Sequence, residues 1–216
     1  ADLENAVNAL LGAAYGSCGE RCMAISVAVA VGDETADALT ASLVERIGEL
    51  TVGNGNDALN QLGPLITEEH RDRVKGYVDL GVEEGAKLMV DGRAQLQDEA
   101  GFFLGPCLFD HVKQHMRVYK EEIFGPVLHV ATFEANEIDQ IVSDINASGF
   151  GLTFGLHTRM DDRVEQVTSQ LNVGNIYVNR NQIGAIVGSQ PFGGEGMSGT
   201  GPKAGGPHYV PRFTRK

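Results

Sequence analysis

Cysteine is scarce in this chain: Cys18, Cys22 and Cys107 among 216 residues. A small odd number argues against a disulfide scaffold, and reduced thiols fit a cytoplasmic compartment. Basic residues are also few. Seventeen Lys and Arg stand against 29 Asp and Glu, for a formal net charge of -12. Phosphates repel such a surface, which argues against nucleic acid and against an anionic membrane. No apolar run reaches the roughly 18 residues of a membrane span. The opening residues Ala1-Asp2-Leu3-Glu4-Asn5 lack the basic start of a signal peptide. They enter helix-like sequence at once, so the chain is expected to be a portion of a longer protein. Internal repeats and low-complexity tracts are absent too, apart from one glycine-rich stretch near the C-terminus.

What is present suits a globular domain: 42% of residues are hydrophobic, enough for a real core. Leu3, Val7, Leu10, Leu11 and Ala14 recur at helical spacing and predict a first helix ending near Gly16. Ile25 to Val31 reads as a buried strand closed by Gly32-Asp33, and Thr35 to Leu50 as a helix. Thr67 is the expected N-cap of a third helix that Gly85 ends. Lys87 to Val90, Phe102 to Phe109, Pro126 to Phe133, Leu152 to His157 and Asn175 to Asn179 are expected to be extended. Asn136 to Ala147 and Asp161 to Leu171 are expected to be helical. The alternation predicts an α/β fold, a mostly parallel sheet with helices on both faces. Gly184 to Pro207 is long for a structureless connection, which points to a functional loop.

Chemistry could sit at Cys22. It follows a glycine-bearing turn and Arg21, so nearby positive charge and backbone N–H groups would favour a thiolate. A thiolate attacks a carbonyl, and the same donors can hold the oxyanion. Composition alone favours a packed thiol over a nucleophile, roughly two to one, because free cysteine is among the most buried residues. Cys107 lies in an apolar run and reads as structural. Cys18 and Cys22 have three residues between them, and His111 and His115 share an i, i+4 spacing without the Glu pattern of a metalloprotease, so a zinc site is not expected. Gly194-Glu195-Gly196-Met197-Ser198-Gly199 matches the dinucleotide fingerprint letter by letter. It lacks the preceding strand and following helix that the fingerprint requires, with Gly201-Pro202 behind it, and is rejected. Ser198 has no nucleophile-elbow context. The six histidines, His70, His111, His115, His129, His157 and His208, read as surface residues.

Four motifs in order and approximate spacing resemble the aldehyde dehydrogenase superfamily: Gly19-Glu20-Arg21-Cys22, Leu62-Gly63-Pro64-Leu65-Ile66, Glu121-Glu122-Ile123-Phe124-Gly125-Pro126-Val127 and Pro191-Phe192-Gly193-Gly194. The resemblance covers essentially the whole chain and reverses the reading of Cys22. It implies a catalytic domain over residues 1–207, without its cofactor-binding half, and an oligomerisation-type segment over 208–216. Cys22 would add to an aldehyde and end as a thioester, NAD or NADP taking the electrons. The Cys22 N–H would form half of the oxyanion hole. Glu122 and Phe124 would contact the nicotinamide ribose and ring, and Phe192 would line the aldehyde pocket. The asparagine that completes the hole and the glutamate base belong to an upstream domain.

The two ends resemble different subfamilies. Ala9 to Ser26, and the chain to about Val127, are similar to methylmalonate-semialdehyde dehydrogenase. There coenzyme A takes the acyl group, and the arginine matching Arg21 holds the substrate carboxylate. From about Ile138, Asn175 to Asn181 and Gly199 to Pro207 resemble the glutamate-semialdehyde (pyrroline-5-carboxylate) dehydrogenase domain of proline-utilisation enzymes. In that subfamily the glycine-rich loop holds the α-carboxylate through backbone N–H groups, here Ala204 and Gly205. That subfamily has serine after the nucleophile where this chain has Met23, so half of that anchor is missing. Such a change of likeness is expected of a recombined sequence. The expected partner is a small semialdehyde bearing a carboxylate, and the complete enzyme is expected to be a homo-oligomer. The alternative expectation is a folded fragment with at most thiol esterase activity at Cys22.

Overall fold

The computed structural model describes residues 1–96 and 98–214. The chain divides into two compact units, one of Leu10–Ala135 and one of Ala1–Ala9 with the chain from Asn136 onward. Helix α1 (Leu3–Tyr15) supplies residues to both.

The larger unit is built on a four-stranded sheet in the order β1-β4-β3-β2: β1 Val27–Val31, β2 Lys87–Val90, β3 Cys107–Asp110 and β4 Val127–Phe133. The pairs β1 with β4 and β3 with β4 are parallel, while β2 runs antiparallel to β3. Every residue of β3 is buried, as are the first five of β4, so both faces of the centre are covered. Full burial of Leu108, Phe109, Leu128 and Val130 contributes roughly 1.5–3 kcal/mol per side chain. Helix α2 (Asp33–Ile47) buries Ala36, Leu39, Leu43 and Ile47 and packs on β1 and β4. Helix α3 (Glu68–Glu83) starts where the Thr67 side chain accepts the His70 N–H at 3.1 Å, and Gly85 follows its end with φ 92. A four-residue helix, α4 (Arg117–Lys120), lies in the crossover from β3 to β4.

In the second unit, helix α6 (Asp161–Thr168) joins the parallel strands β6 (Thr153–Leu156) and β7 (Asn175–Val178). Helix α5 (Ile138–Ala147) packs on α6. Two-residue strands β5 (Phe150–Gly151) and β8 (Glu195–Gly196) pair antiparallel. Among the described residues no helix is long and apolar enough to cross a membrane.

Several boundaries differ from expectation, for identifiable reasons. The strand expected from Phe102 begins at Cys107, because Pro106 offers no N–H and Phe102 accepts from the Leu65 N–H instead. The strand expected from Ile25 begins at Val27, since Ile25 donates to Ala13 of α1. Around the rejected fingerprint, Glu195–Gly196 is strand, and the next helical turn comes only at Val210–Phe213. That turn is a 3-10 helix. His129 is a correction: it is fully buried in β4 and stacked on Phe109, with ring centroids 5.8 Å apart. A sheet centre with both faces covered leaves that position no surface to reach.

Candidate active site

The loop that carries Cys22 begins as a 3-10 turn, Gly16–Gly19, at the end of α1. Ser17, Cys18 and Gly19 adopt φ of 52, 56 and 68. For the two non-glycine residues this left-handed backbone costs about 1–2 kcal/mol each. Two side-chain hydrogen bonds hold it: the Cys18 thiol donates to the Gly63 carbonyl at 3.0 Å, and Arg21 Nε donates to Ser17 Oγ at 3.0 Å. Gly19 has a second reason to be glycine. A Cβ there would lie 2.1 Å from the Gly125 carbonyl oxygen. The following turn closes by a bond from the Ala24 N–H to the Arg21 carbonyl at 2.9 Å. Met23 points into the core while Cys22 faces outward.

The three thiols therefore differ in kind. Burial, with the Glu20 charge adding, pushes Cys18 up to about 11. Burial likewise pushes Cys107 up to about 11, and its sulfur accepts the Gly92 N–H at 3.3 Å. Both stay neutral at physiological pH, and neutral thiols are poor nucleophiles. Cys22 alone is exposed, and its N–H donates to no described group.

The loop Glu121–Pro126 forms the other side of this site. Cys22, Glu122 and Phe124 line one shallow cleft. Glu122 is exposed, Ile123 is buried as an anchor, and Phe124 is half-buried with φ 58. One stripe of α3 reads this loop residue by residue, at spacing i, i+3, i+4, i+7. His70 Nε2 lies 2.7 Å from the Phe124 carbonyl, which makes that nitrogen the donor. Arg73 donates to the Ile123 and Glu122 carbonyls at 3.3 and 3.0 Å. Val74 abuts Gly125, where a Cβ would come within 2.7 Å of its methyl group. The Tyr77 hydroxyl donates to the Glu121 carboxylate at 2.6 Å, and Arg117 donates to the same carboxylate at 2.8 Å. Arg117 and then Tyr77 lower the Glu121 carboxyl to about 2. That bond raises the Tyr77 phenol in turn.

In the second unit, Phe192 and Ala204 form an antiparallel bridge. The Ala204 N–H donates to the Phe192 carbonyl at 2.7 Å. That donor is taken, which corrects the expectation that Ala204 offers its N–H to a carboxylate. Gly205 (φ 75) accepts the Gly188 N–H through its carbonyl, and its own N–H is bonded to no described group. Among the described residues no group of three or more His, Cys, Asp or Glu is placed to hold a metal ion.

An exposed cysteine with buried neighbours, facing a Glu-Ile-Phe-Gly-Pro loop, agrees with the comparison to known families: the aldehyde dehydrogenase family matches residues 1–216. The chain belongs to the aldehyde dehydrogenase family. Malonate-semialdehyde dehydrogenase of Pseudomonas aeruginosa PAO1 is 46% identical over 219 residues, covering 100% of this chain and 44% of that protein. The bifunctional protein PutA of Klebsiella aerogenes is 41% identical over 214 residues, covering 97% of this chain and 16% of that protein. A structure described as a methylmalonate-semialdehyde dehydrogenase of Sinorhizobium meliloti 1021, complexed with NAD, superposes with TM-score 0.93 at 40% identity. It is covered to 44%, and this chain to 100%. This aldehyde dehydrogenase chain thus spans less than half the length of the relatives it matches, and both expected subfamilies match along nearly all of it.

Of the residues expected from the sequence, Arg21, Cys22, Glu122 and Phe124 share the cleft in the larger unit. Phe192, Ala204 and Gly205 belong to the other unit. The sequence reading missed Glu20, His70, Arg73 and Tyr77. The stripe His70, Arg73, Val74, Tyr77 was visible as a helical spacing, but nothing in one sequence says which loop lies against it.

Proposed function

We propose that this chain is the catalytic portion of an NAD(P)-dependent aldehyde dehydrogenase that oxidises a carboxylate-bearing semialdehyde through a thioester on Cys22. The observation that carries the reading is the exposed Cys22 thiol sharing a cleft with Glu122 and Phe124. The Cys22 thiolate attacks the aldehyde carbon, the C–S bond forms, and the carbonyl electron pair moves to oxygen. The unengaged Cys22 N–H holds that oxygen. The facing loop suits a nicotinamide riboside: Phe124 offers an apolar ring and the exposed Glu122 carboxylate can accept from a ribose hydroxyl. A bound NAD or NADP supplies the two-electron acceptor that turns the Cys22 adduct into the thioester. Arg21 has no carboxylate within ion-pair distance among the described residues, which leaves its terminal nitrogens for the substrate carboxylate.

The substrate is methylmalonate- or malonate-semialdehyde-like, with coenzyme A as acyl acceptor, or glutamate-semialdehyde-like. Phe192 for the aldehyde and Gly205 for a carboxylate belong to this proposal on the family resemblance, as does homo-oligomerisation of the complete enzyme. The test is nitrophenyl-ester cleavage by the chain, followed by semialdehyde-dependent NAD reduction after joining it to a relative's cofactor domain, with and without coenzyme A. Cys22→Ala is expected to lower both rates by about a thousandfold or more. Retention of either rate overturns the assignment. Ester cleavage with no NAD binding by calorimetry favours the fragment reading.

A further inference from the structure

The two loops that meet at the cleft are joined by more than contact. Glu20, two residues before the nucleophile, turns its carboxylate inward, leaving only 16% of its side chain exposed. One oxygen accepts the Ile66 N–H at 3.3 Å, just before α3, and lies 3.4 Å from His70 Nε2. That same nitrogen donates to the Phe124 carbonyl at 2.7 Å. His70 is itself fixed by the Thr67 cap on its backbone N–H. One half-buried imidazole therefore touches the segment carrying the nucleophile and the segment carrying Phe124. The glycine backbones at Gly19 and Gly125 are packed too tightly to admit a Cβ, so they close the loops together without choosing an orientation. The hydrogen bond from His70 to Phe124 does choose one, since its strength falls steeply with misalignment, and the Glu20 carboxylate rests against the same nitrogen.

The geometry points to His70 as a positioning residue that couples the nucleophile loop to the Glu121–Pro126 loop and so sets Cys22 against Phe124. This rests on the assignment of Cys22 as nucleophile for its functional meaning, but not for its test. Arg73 and Tyr77 hold only the second loop. His70 alone among the stripe also reaches Glu20, which is why it is the coupling residue.

The test compares the full chain with His70→Leu, which removes the donor, and His70→Gln, whose amide N–H restores one of similar reach. Two readouts are taken: the rate of Cys22 alkylation by iodoacetamide, assigned by peptide mass, and hydrogen exchange over residues 19–24 and 121–126. His70→Leu is expected to shift Cys22 alkylation and raise exchange in both segments by roughly fivefold, the factor that goes with one lost hydrogen bond. His70→Gln is expected to return all three to within about twofold of the parent. His70→Ala carries the same comparison where leucine prevents folding. Unchanged exchange in both segments, a change confined to 121–126, or no recovery in His70→Gln overturns the proposal. Failure of the nucleophile assignment shows separately, as ester cleavage that survives Cys22→Ala in a chain with His70 intact, while the exchange comparison still reads the coupling.

Discussion

The loop at Glu121–Pro126 and the glycine-rich segment from Gly184 to Pro207 are held by opposite means. The first takes its shape from side chains of one helix: His70, Arg73, Val74 and Tyr77 each engage a successive part of it. The second holds itself mostly by backbone. Ile186 and Gln190 exchange hydrogen bonds, as do Phe192 and Ala204, while Gly188 donates to Gly205 and Gly206 to Lys203. Glycines let these strands approach closely: a Cβ on Gly174 would lie 1.8 Å from the Gly193 carbonyl oxygen. A side-chain-held loop is vulnerable to deletion, whereas a backbone-held loop is vulnerable to addition.

The sharpest way to break that comparison is to add one carbon. Gly174→Ala forces two backbones apart and is expected to destabilise the second unit by about 3 kcal/mol or more, read by urea unfolding and by exchange over residues 184–207. A loss below about 1 kcal/mol would mean that the segment is pliable.

The next effect concerns the platform under the first loop. Burial lowers His129 from 6.5 to about 4, and neither ring nitrogen has a hydrogen-bond partner among the described residues. The unfolded chain then takes up a proton below pH 6.5 that the folded chain refuses until about pH 4. Stability is untouched above pH 6.5 and is lost as pH falls through that window, by roughly 3 kcal/mol in total. Urea midpoints measured from pH 7 to 4 should show this loss, and His129→Leu should remove that part of it. An equal pH dependence in the variant would assign the loss to carboxylates instead.

Smaller effects separate the two regions. Thr67→Ala removes the cap of α3, at a cost of about 1 kcal/mol, and should raise exchange in residues 121–126, where the helix holds its loop. A destabilised helix with an unchanged loop would argue against side-chain support. Val187→Ala, in the backbone-held segment, alters a side chain that is 83% exposed. It should change stability by less than about 0.5 kcal/mol, and a larger shift in melting temperature would show that side chains matter there too.

Much of the fold was legible because its signals are local. Thr67 before an acidic turn, Gly85 after the helix, and the apolar spacing of α2 depend on neighbours within a few residues. Strand ends were less legible: β3 starts late because Leu65, some 40 positions away, supplies the donor that Phe102 accepts. The pair β5 and β8 escaped notice because two residues carry no period. His129 was misread for a related reason, since a polar residue in an apolar run says nothing of how many layers cover it.

The sequence by itself determined the family, the identity of the candidate nucleophile, and the residues of the facing loop, because these are carried by short ordered motifs whose chemistry needs particular side chains. Tertiary structure decided which thiol is exposed, which N–H groups remain available, and which helix face braces the site. Exposure, donor occupancy and contacts across 50 residues are properties of packing. His70, 54 positions from Phe124 along the chain and 2.7 Å from it in space, is the plainest instance.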